Sequence, residues 1–345
     1  MLRLYLPLPP TKPFRYLSFY PFLHSALHPF ILSALMQSGI KVIAPASLSN
    51  LACGFDILGL ALDIPGDEII GRLVDTPGVH IKEITGQKNH IPTDPAKNIA
   101  SVAASAVLKH LGEEGRGVEL RIRKHIPAGS GLGSSASSAV AAVVLVNELL
   151  QNPLEKRALI PFAIEGEMIA SGTMVGDNVV ASMLGGLVLI RDIESLDFHR
   201  IYTPPGLFAA VLLPEVMIST LTSRSVLQPT VPLKDMVRQS ANLGGLITGM
   251  HNGDLDLIRR SMVDVVIEPQ RKFMIPHFDQ VQEQALQMGA LGCSISGAGP
   301  AVFALCQEKL QATDIAAAML RIYTDHQLDA RSFVAAINRE GAMLK

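Results

Sequence analysis

Tryptophan is absent from this chain, and aromatic residues make up only 5% of it. That argues against a surface that binds sugars or bases by stacking. Charge is scarce too: 17% of residues are charged and the formal net charge is -2. Such a balance offers no basic patch, so no nucleic-acid partner is expected. The cysteines are three, Cys53, Cys293 and Cys306, without metal-ligand spacing, and a reduced, cytoplasmic protein is the simplest reading. Residues 1–35 hold no acidic residue, are rich in aromatics, and carry prolines at 7, 9, 10, 13, 21 and 29. The uncharged run within residues 16–40 has the composition of an anchor, but Pro21, Pro29, His24 and His28 interrupt it. No membrane role is expected. The stretch reads as a leader, disordered or a misassigned start, with the working chain opening at Met36.

What is present is a chain of 345 residues, 48% of them hydrophobic, enough for two ordered domains. Its most informative stretch is residues 117–150. Val118, Leu120 and Ile122 alternate with Glu119, Arg121 and Arg123, the period of a half-buried strand. Gly129, Gly131 and Gly133 follow, then Ser134 and Ser135 where a helix should begin, serine being a good N-cap. A run of Ala, Val and Leu continues to Leu150. Strand, glycine loop and helix N-terminus in that order suit a phosphate group. No lysine follows Gly133, so this is not a P-loop; the glycine spacing is also wrong for a dinucleotide fingerprint. The nearest acid about 20 residues on, Glu148, is embedded in the apolar run, which disfavours a Rossmann dehydrogenase.

The whole string Pro127, Ala128, Gly129, Ser130, Gly131, Leu132, Gly133, Ser134, Ser135 and Ala136 resembles the signature of the GHMP kinases. Residues 50–62, NLACGFDILGLAL, are similar to the N-terminal motif of the homoserine kinases within that family. Without the resemblance they would read as an Asx-stabilised turn. Two arginine motifs agree, STLTSRSVL at 219–227 and EPQRKFMIP at 268–276, as does a third glycine motif, GCSISGAGPA at 292–301.

The resemblance implies an α+β, two-domain GHMP kinase fold. Residues 36–200 would form a mixed α/β domain around the phosphate loop, and residues 201–345 a ferredoxin-like α+β sandwich with helices over one sheet face. It implies ATP and Mg²⁺ as cofactors, L-homoserine as substrate, and a route leading to threonine. The residues at 127–135 would bind nucleotide, with Asn98 in the adenine pocket and Lys124 reaching the nucleotide. Glu167 and Ser135 would hold Mg²⁺, since that ion takes oxygen ligands beside the phosphates. Asn50, Asp56, Thr220, Arg224 and Arg271 would hold homoserine, with Asn178, Arg224 and Lys124 nearest the chemistry. An amide cannot take a proton, so Asn178 leaves the site without a strong general base. A homodimer is left open.

The chain departs from the pattern at Ser223, where the first arginine motif has alanine, and more consequentially at Val175. Homoserine kinases usually read Ser-Gly-x-x-His-x-Asp-Asn-Val, and residues 171–179 read SGTMVGDNV, with Val175 in the histidine's place. Valine makes no hydrogen bond. A GHMP kinase for another small alcohol, or a GHMP-fold binding module that has lost catalysis, therefore stay open beside homoserine.

Overall fold

The computed structural model describes residues 39–86 and 91–345, so the expected leader lies outside the described residues. Strands β1 (Ile40–Ala44), β2 (Ser47–Ser49), β3 (Leu58–Asp63), β4 (Asp67–Val74) and β5 (Gly78–Thr85) come first. Helix α1 (Ile99–His110), β6 (Gly117–Arg123), α2 (Ser134–Leu149), α3 (Lys156–Ser171) and α4 (Asp177–Leu184) follow. Then come β7 (Leu187–Asp192), β8 (Asp197–Ile201), β9 (Phe208–Pro214), α5 (Thr220–Ser225), α6 (Leu233–Asn252), α7 (Leu255–Ser261) and α8 (Glu268–Arg271). The chain closes with α9 (Phe278–Gln287), β10 (Gly292–Ile295), β11 (Val302–Cys306), α10 (Lys309–Asp325), β12 (Ala330–Ile337) and β13 (Met343–Leu344).

One sheet runs β13-β1-β4-β6-β5, with only β5 and β6 parallel. Helix α2 packs on it. Val140 to Val146 of α2 are buried all round, as expected of a helix with no polar face. Its few polar groups are spent on fixed partners: Ser137 Oγ donates to the Ala44 carbonyl (2.6 Å), and Asn147 braces the turn at Leu154. The second sheet runs β10-β11-β9-β12-β3-β7-β8, with β2 on β3, all antiparallel. Its interior strand β9 sends Ala209, Val211 and Leu213 into one apolar cluster and Ala210 and Leu212 into another. Both faces are therefore covered, which is why β9 reads as an unbroken apolar run. Helices α9 and α10 cover one face; α6, α7 and the glycine loop's Ile126 and Leu132 cover the other. The expected sandwich with helices on one face is thus corrected.

Hydrogen bonding crosses the expected division near residue 200: β3 pairs with β12 at Leu62–Ile337, and β13 returns to pair with β1. Other element readings shift for local reasons. The helix expected over 94–111 starts at Ile99, because the buried Asn98 side chain caps it, accepting from the N–H groups of Ala100 and Ser101. The loop expected over 172–180 yields the helix α4 from Asp177 on, and residues 292–295 of the third glycine motif form β10. Among the described residues no helix is long and apolar enough to cross a membrane.

Gly59 lets β3 approach α4: a Cβ there would lie 2.1 Å from the Asp177 carbonyl oxygen. Gly59→Ala should destabilise the protein by about 1–3 kcal/mol, the usual cost of overpacking. Urea denaturation checks this, and an unchanged midpoint would contradict the close approach.

Candidate functional site

Strand β6 delivers the chain to a buried ion pair. The Lys124 ammonium bonds the Asp67 carboxylate, and also donates to the Ser134 carbonyl and the Ser138 hydroxyl, both at 2.8 Å. Asp67 is fully buried; its Oδ1 accepts from the His125 and Ile126 N–H groups at 3.0 and 3.2 Å, and its Oδ2 from Ser138 at 2.9 Å. One carboxylate thus grips the start of the glycine loop and the first turn of α2. Lys124 lines the nearby cavity, but its three donors are all engaged in this network. That gives its charge to the loop rather than to a nucleotide.

Gly129, Gly131 and Gly133 all take the left-handed conformation, with φ of 70°, 79° and 68°. At Gly131 a Cβ would meet the Ser296 carbonyl at 2.5 Å, and at Gly133 the Ser47 hydroxyl at 2.4 Å. The N-cap of α2 is Gly133, without a side-chain cap, and not a serine. Ser134 instead spends its hydroxyl on the Ile126 carbonyl at 2.7 Å. The first-turn N–H groups are consequently not satisfied by a side-chain cap, and the positive end of the helix dipole suits an anion.

A cavity of about 400 Å³ opens over this loop. Asn98, Lys124, Ala128, Gly129, Ser130, Gly131, Gly133, Ser134, Ser135, Glu167, Asn178 and Thr220 all line it. Pro127 and Leu132, expected among the nucleotide residues, line a separate cavity behind the loop. The loop at 296–301 closes the far side. Ser296 Oγ donates to the Gly131 carbonyl at 2.6 Å, and Ala301 N to the Ser130 carbonyl at 3.1 Å. Ser135 Oγ donates to Glu167 Oε1 at 2.8 Å. Burial pushes the Glu167 carboxyl up to about 7, with the Asp177 charge adding to it against the Ser135 bond and Lys124. A walled-in carboxylate beside a hydroxyl, at the mouth of a phosphate-sized cradle, fits a hard divalent cation, whose charge would relieve that burial. Among the described residues no three His, Cys, Asp or Glu side chains gather to hold a metal without further ligands.

Against the cavity sits a second cluster. Asn50, Leu51 and Ala52 run consecutively through left-handed backbone, with φ of 72°, 41° and 62°, and Asp56 repeats it at 62°. Such residues cost on the order of 1–3 kcal/mol each and persist where the surroundings over-determine them. Here Asn50 N donates to the Leu58 carbonyl, Gly54 N to the Asn50 carbonyl, and Asp56 N to Asn50 Oδ1. Asn50 Nδ2 reaches the Gly297 carbonyl at 3.2 Å, and Arg271 Nη1 reaches the same oxygen at 3.2 Å. Arg224 Nη2 donates to Asp56 Oδ1 at 2.7 Å, while its buried Nε has no hydrogen-bond partner among the described residues. Both guanidinium groups lie over the Phe55 ring, 5.4 and 5.0 Å from its centre. Burial, then the Arg224 charge, pushes Arg271 down to about 10.

Asn178 stands between cradle and cluster. Its Oδ1 accepts from Ser47 at 2.8 Å and its Nδ2 donates to Ser49 at 3.1 Å. Beside it, Asp177 is buried and pushed up to about 7, by burial first and the Asp56 charge second. Sequence reasoning missed Asp67, Asp177, Phe55 and the two serines as site residues. Asp177 and Phe55 sat inside quoted motifs and were findable there; Asp67, at the start of β4, carried no local signal.

Two outcomes test this electrostatics. Asp67→Ala should cost about 3–5 kcal/mol, because it strands the Lys124 charge in the interior; Lys124→Met in the same background should recover part of that loss in chemical denaturation. For Glu167 and Asp177 the folded values, about 7, lie above the ordinary 4.5 and 3.8, so the folded state holds their protons more tightly. The stabilisation this gives is full below those ordinary values and is lost as pH rises to about 7. Melting temperature without ligand should fall across that window, and Glu167→Gln should flatten the fall.

The chain matches the GHMP kinases N terminal domain over residues 98–186 and the GHMP kinases C terminal family over 246–325. It is 40% identical over 311 residues to a homoserine kinase of Chloroherpeton thalassium, covering 87% of this chain and 98% of that one. A homoserine kinase of Xylella fastidiosa is 39% identical over 304 residues, 88% and 93% of the two chains. The crystal structure of homoserine kinase from Cytophaga hutchinsonii superposes with a TM-score of 0.86 at 43% identity, covering 89% of this chain and 97% of that one.

Proposed function

The chain belongs to the homoserine kinases of the GHMP family, and from that membership we propose that it transfers a phosphoryl group from ATP to the hydroxyl of L-homoserine. The products are ADP and O-phospho-L-homoserine, on the route to threonine. The observation that carries the reading is Gly297. It lines the phosphate cavity, and its carbonyl accepts from both Asn50 and Arg271 of the neighbouring cluster. A phosphate cradle and a cluster for a zwitterion therefore share a wall.

The uncapped N-terminus of α2 and the loop at 129–135 hold the ATP phosphates. Asn98, on the cavity wall, bounds the rest of the nucleotide; Thr220, expected at homoserine, lines the same cavity. Asp56 takes the homoserine ammonium, and Arg224 and Arg271 take its carboxylate; the Asp56–Arg224 pair already presents the opposite charges. Phe55 keeps both guanidinium planes in place. Asn178, fixed by Ser47 and Ser49, orients the acceptor hydroxyl but cannot take its proton. Positioning and charge stabilisation then carry the reaction, since a loose phosphoryl-transfer transition state asks little of a base. Glu167 and Ser135 would hold Mg²⁺ beside the phosphates. When bound, that ion neutralises phosphate charge. The site draws on both halves of the chain, in a cytoplasmic setting that supplies ATP.

Val175, partly exposed in the loop before α4, supports a second reading, a different small alcohol as acceptor. Coupled ADP release by the full chain with Mg·ATP and a panel of L-homoserine, mevalonate, galactose and no acceptor decides it. Turnover on homoserine alone is the expected result. Turnover on another member only would overturn the assignment.

Glu167→Gln should lower kcat by at least about 100-fold with melting unimpaired, the scale of losing a group that acts on transferring charge. Arg271→Ala should raise KM for homoserine by about 10- to 100-fold and leave ATP binding nearly unchanged, the scale of one charge-assisted contact. Equal loss of ATP affinity would place Arg271 on the nucleotide instead.

A further inference from the structure

Behind the glycine loop lies the second cavity, of about 320 Å³. It originates in a parting of two strands. β12 pairs with β9 from Ala330 to Ala336 but meets β3 only at Ala336 and Ile337. After Asp63 the chain turns off through Ile64 and Pro65, which line the gap. Arg331 and Phe333, two residues apart and so on one face of β12, line it too, with Leu213 paired opposite Arg331. The remaining wall is the loop itself, through Ile126, Pro127 and Leu132. His125 also lines the cavity, and its Nε2 has Glu68 Oε1 at 4.0 Å. The exposed Arg331 side chain makes no hydrogen bond or ion pair among the described residues. Apolar walls with one unneutralised guanidinium at the edge suit a small amphipathic anion.

We propose that this cavity binds a small aliphatic carboxylate, its hydrocarbon against Leu213, Phe333 and Leu132 and its carboxylate on Arg331, and that the phosphate loop responds to it. The coupling is geometric. Leu132 lies between Gly131 and Gly133, which line the nucleotide cavity, and its carbonyl accepts from Ser47 N at 3.1 Å. Ser47 in turn holds Asn178. Nothing in this depends on which alcohol the enzyme phosphorylates.

Calorimetric titration of the full chain with hexanoate, hexanamide and hexylamine tests it. Hexanoate should bind with Kd on the order of millimolar, and hexanamide at least about tenfold more weakly. Arg331→Glu should lose hexanoate and gain hexylamine; the position is exposed, so the fold should stand. Hexanoate should still bind under saturating L-homoserine, and should shift the Kd for ATP at least about twofold. No hexanoate binding, equal binding of the amide, indifference to Arg331→Glu, or an unmoved ATP Kd would each overturn the proposal. Displacement by homoserine would overturn it as well, by placing the anion on Arg224 and Arg271.

Discussion

The buried Asp67–Lys124 ion pair is what the glycine loop hangs from. An unpaired charge in that interior would be costly, so each partner is held by the other and by a full set of hydrogen bonds. The bonds it makes are to backbone and hydroxyl groups at both ends of one short segment: His125 and Ile126 before the glycines, Ser134 and Ser138 after them. Glycines alone would give a floppy loop, because they permit left-handed φ without demanding it. The ion pair, together with the Ser296 and Ala301 contacts from the far loop, removes that freedom. The loop is thereby held in one conformation before any ligand binds, which lowers the ordering cost of binding.

Two buried carboxylates sit in the same region, and both are shifted toward neutrality by burial. Their burial makes ionising both of them costly as pH rises. A cation beside Glu167 and an ammonium or guanidinium beside Asp56 and Asp177 relieve it. The strained backbone at Asn50, Leu51, Ala52 and Asp56 belongs to the same logic, since it aims one amide and one carboxylate from a short turn.

Much of this was legible along the chain. The alternation at residues 117–123 marked β6 without error, and the apolar run after Ser134 marked the buried helix α2. Both are period-based signals carried by contiguous residues. Boundaries were harder. Asn98 moved the start of α1 by capping it, and Asp177 opened a helix where a loop was read, because capping and packing of single residues decide such ends. The coverage of both faces of the second sheet was not legible either, since it depends on α6 and α7 folding back over β9 and β11.

The sequence by itself determined the motifs, their order and the chemistry their side chains can supply: a glycine loop before a helix, Glu165 and Glu167 on the next helix, two arginine motifs in the second half. The family resemblance and its expected activity rest on those local strings, and the comparisons bear them out. Only the tertiary structure decided which of these groups are free to act. Lys124 is consumed by Asp67, a residue 57 positions away. Pro127 and Leu132 line a separate cavity from the one over the glycine loop. Gly297 joins the two halves of the site across 247 positions from Asn50. The physical reason is that hydrogen-bonding capacity is finite and burial is a property of the whole fold. A sequence names the donors and acceptors, and packing settles how each one is spent.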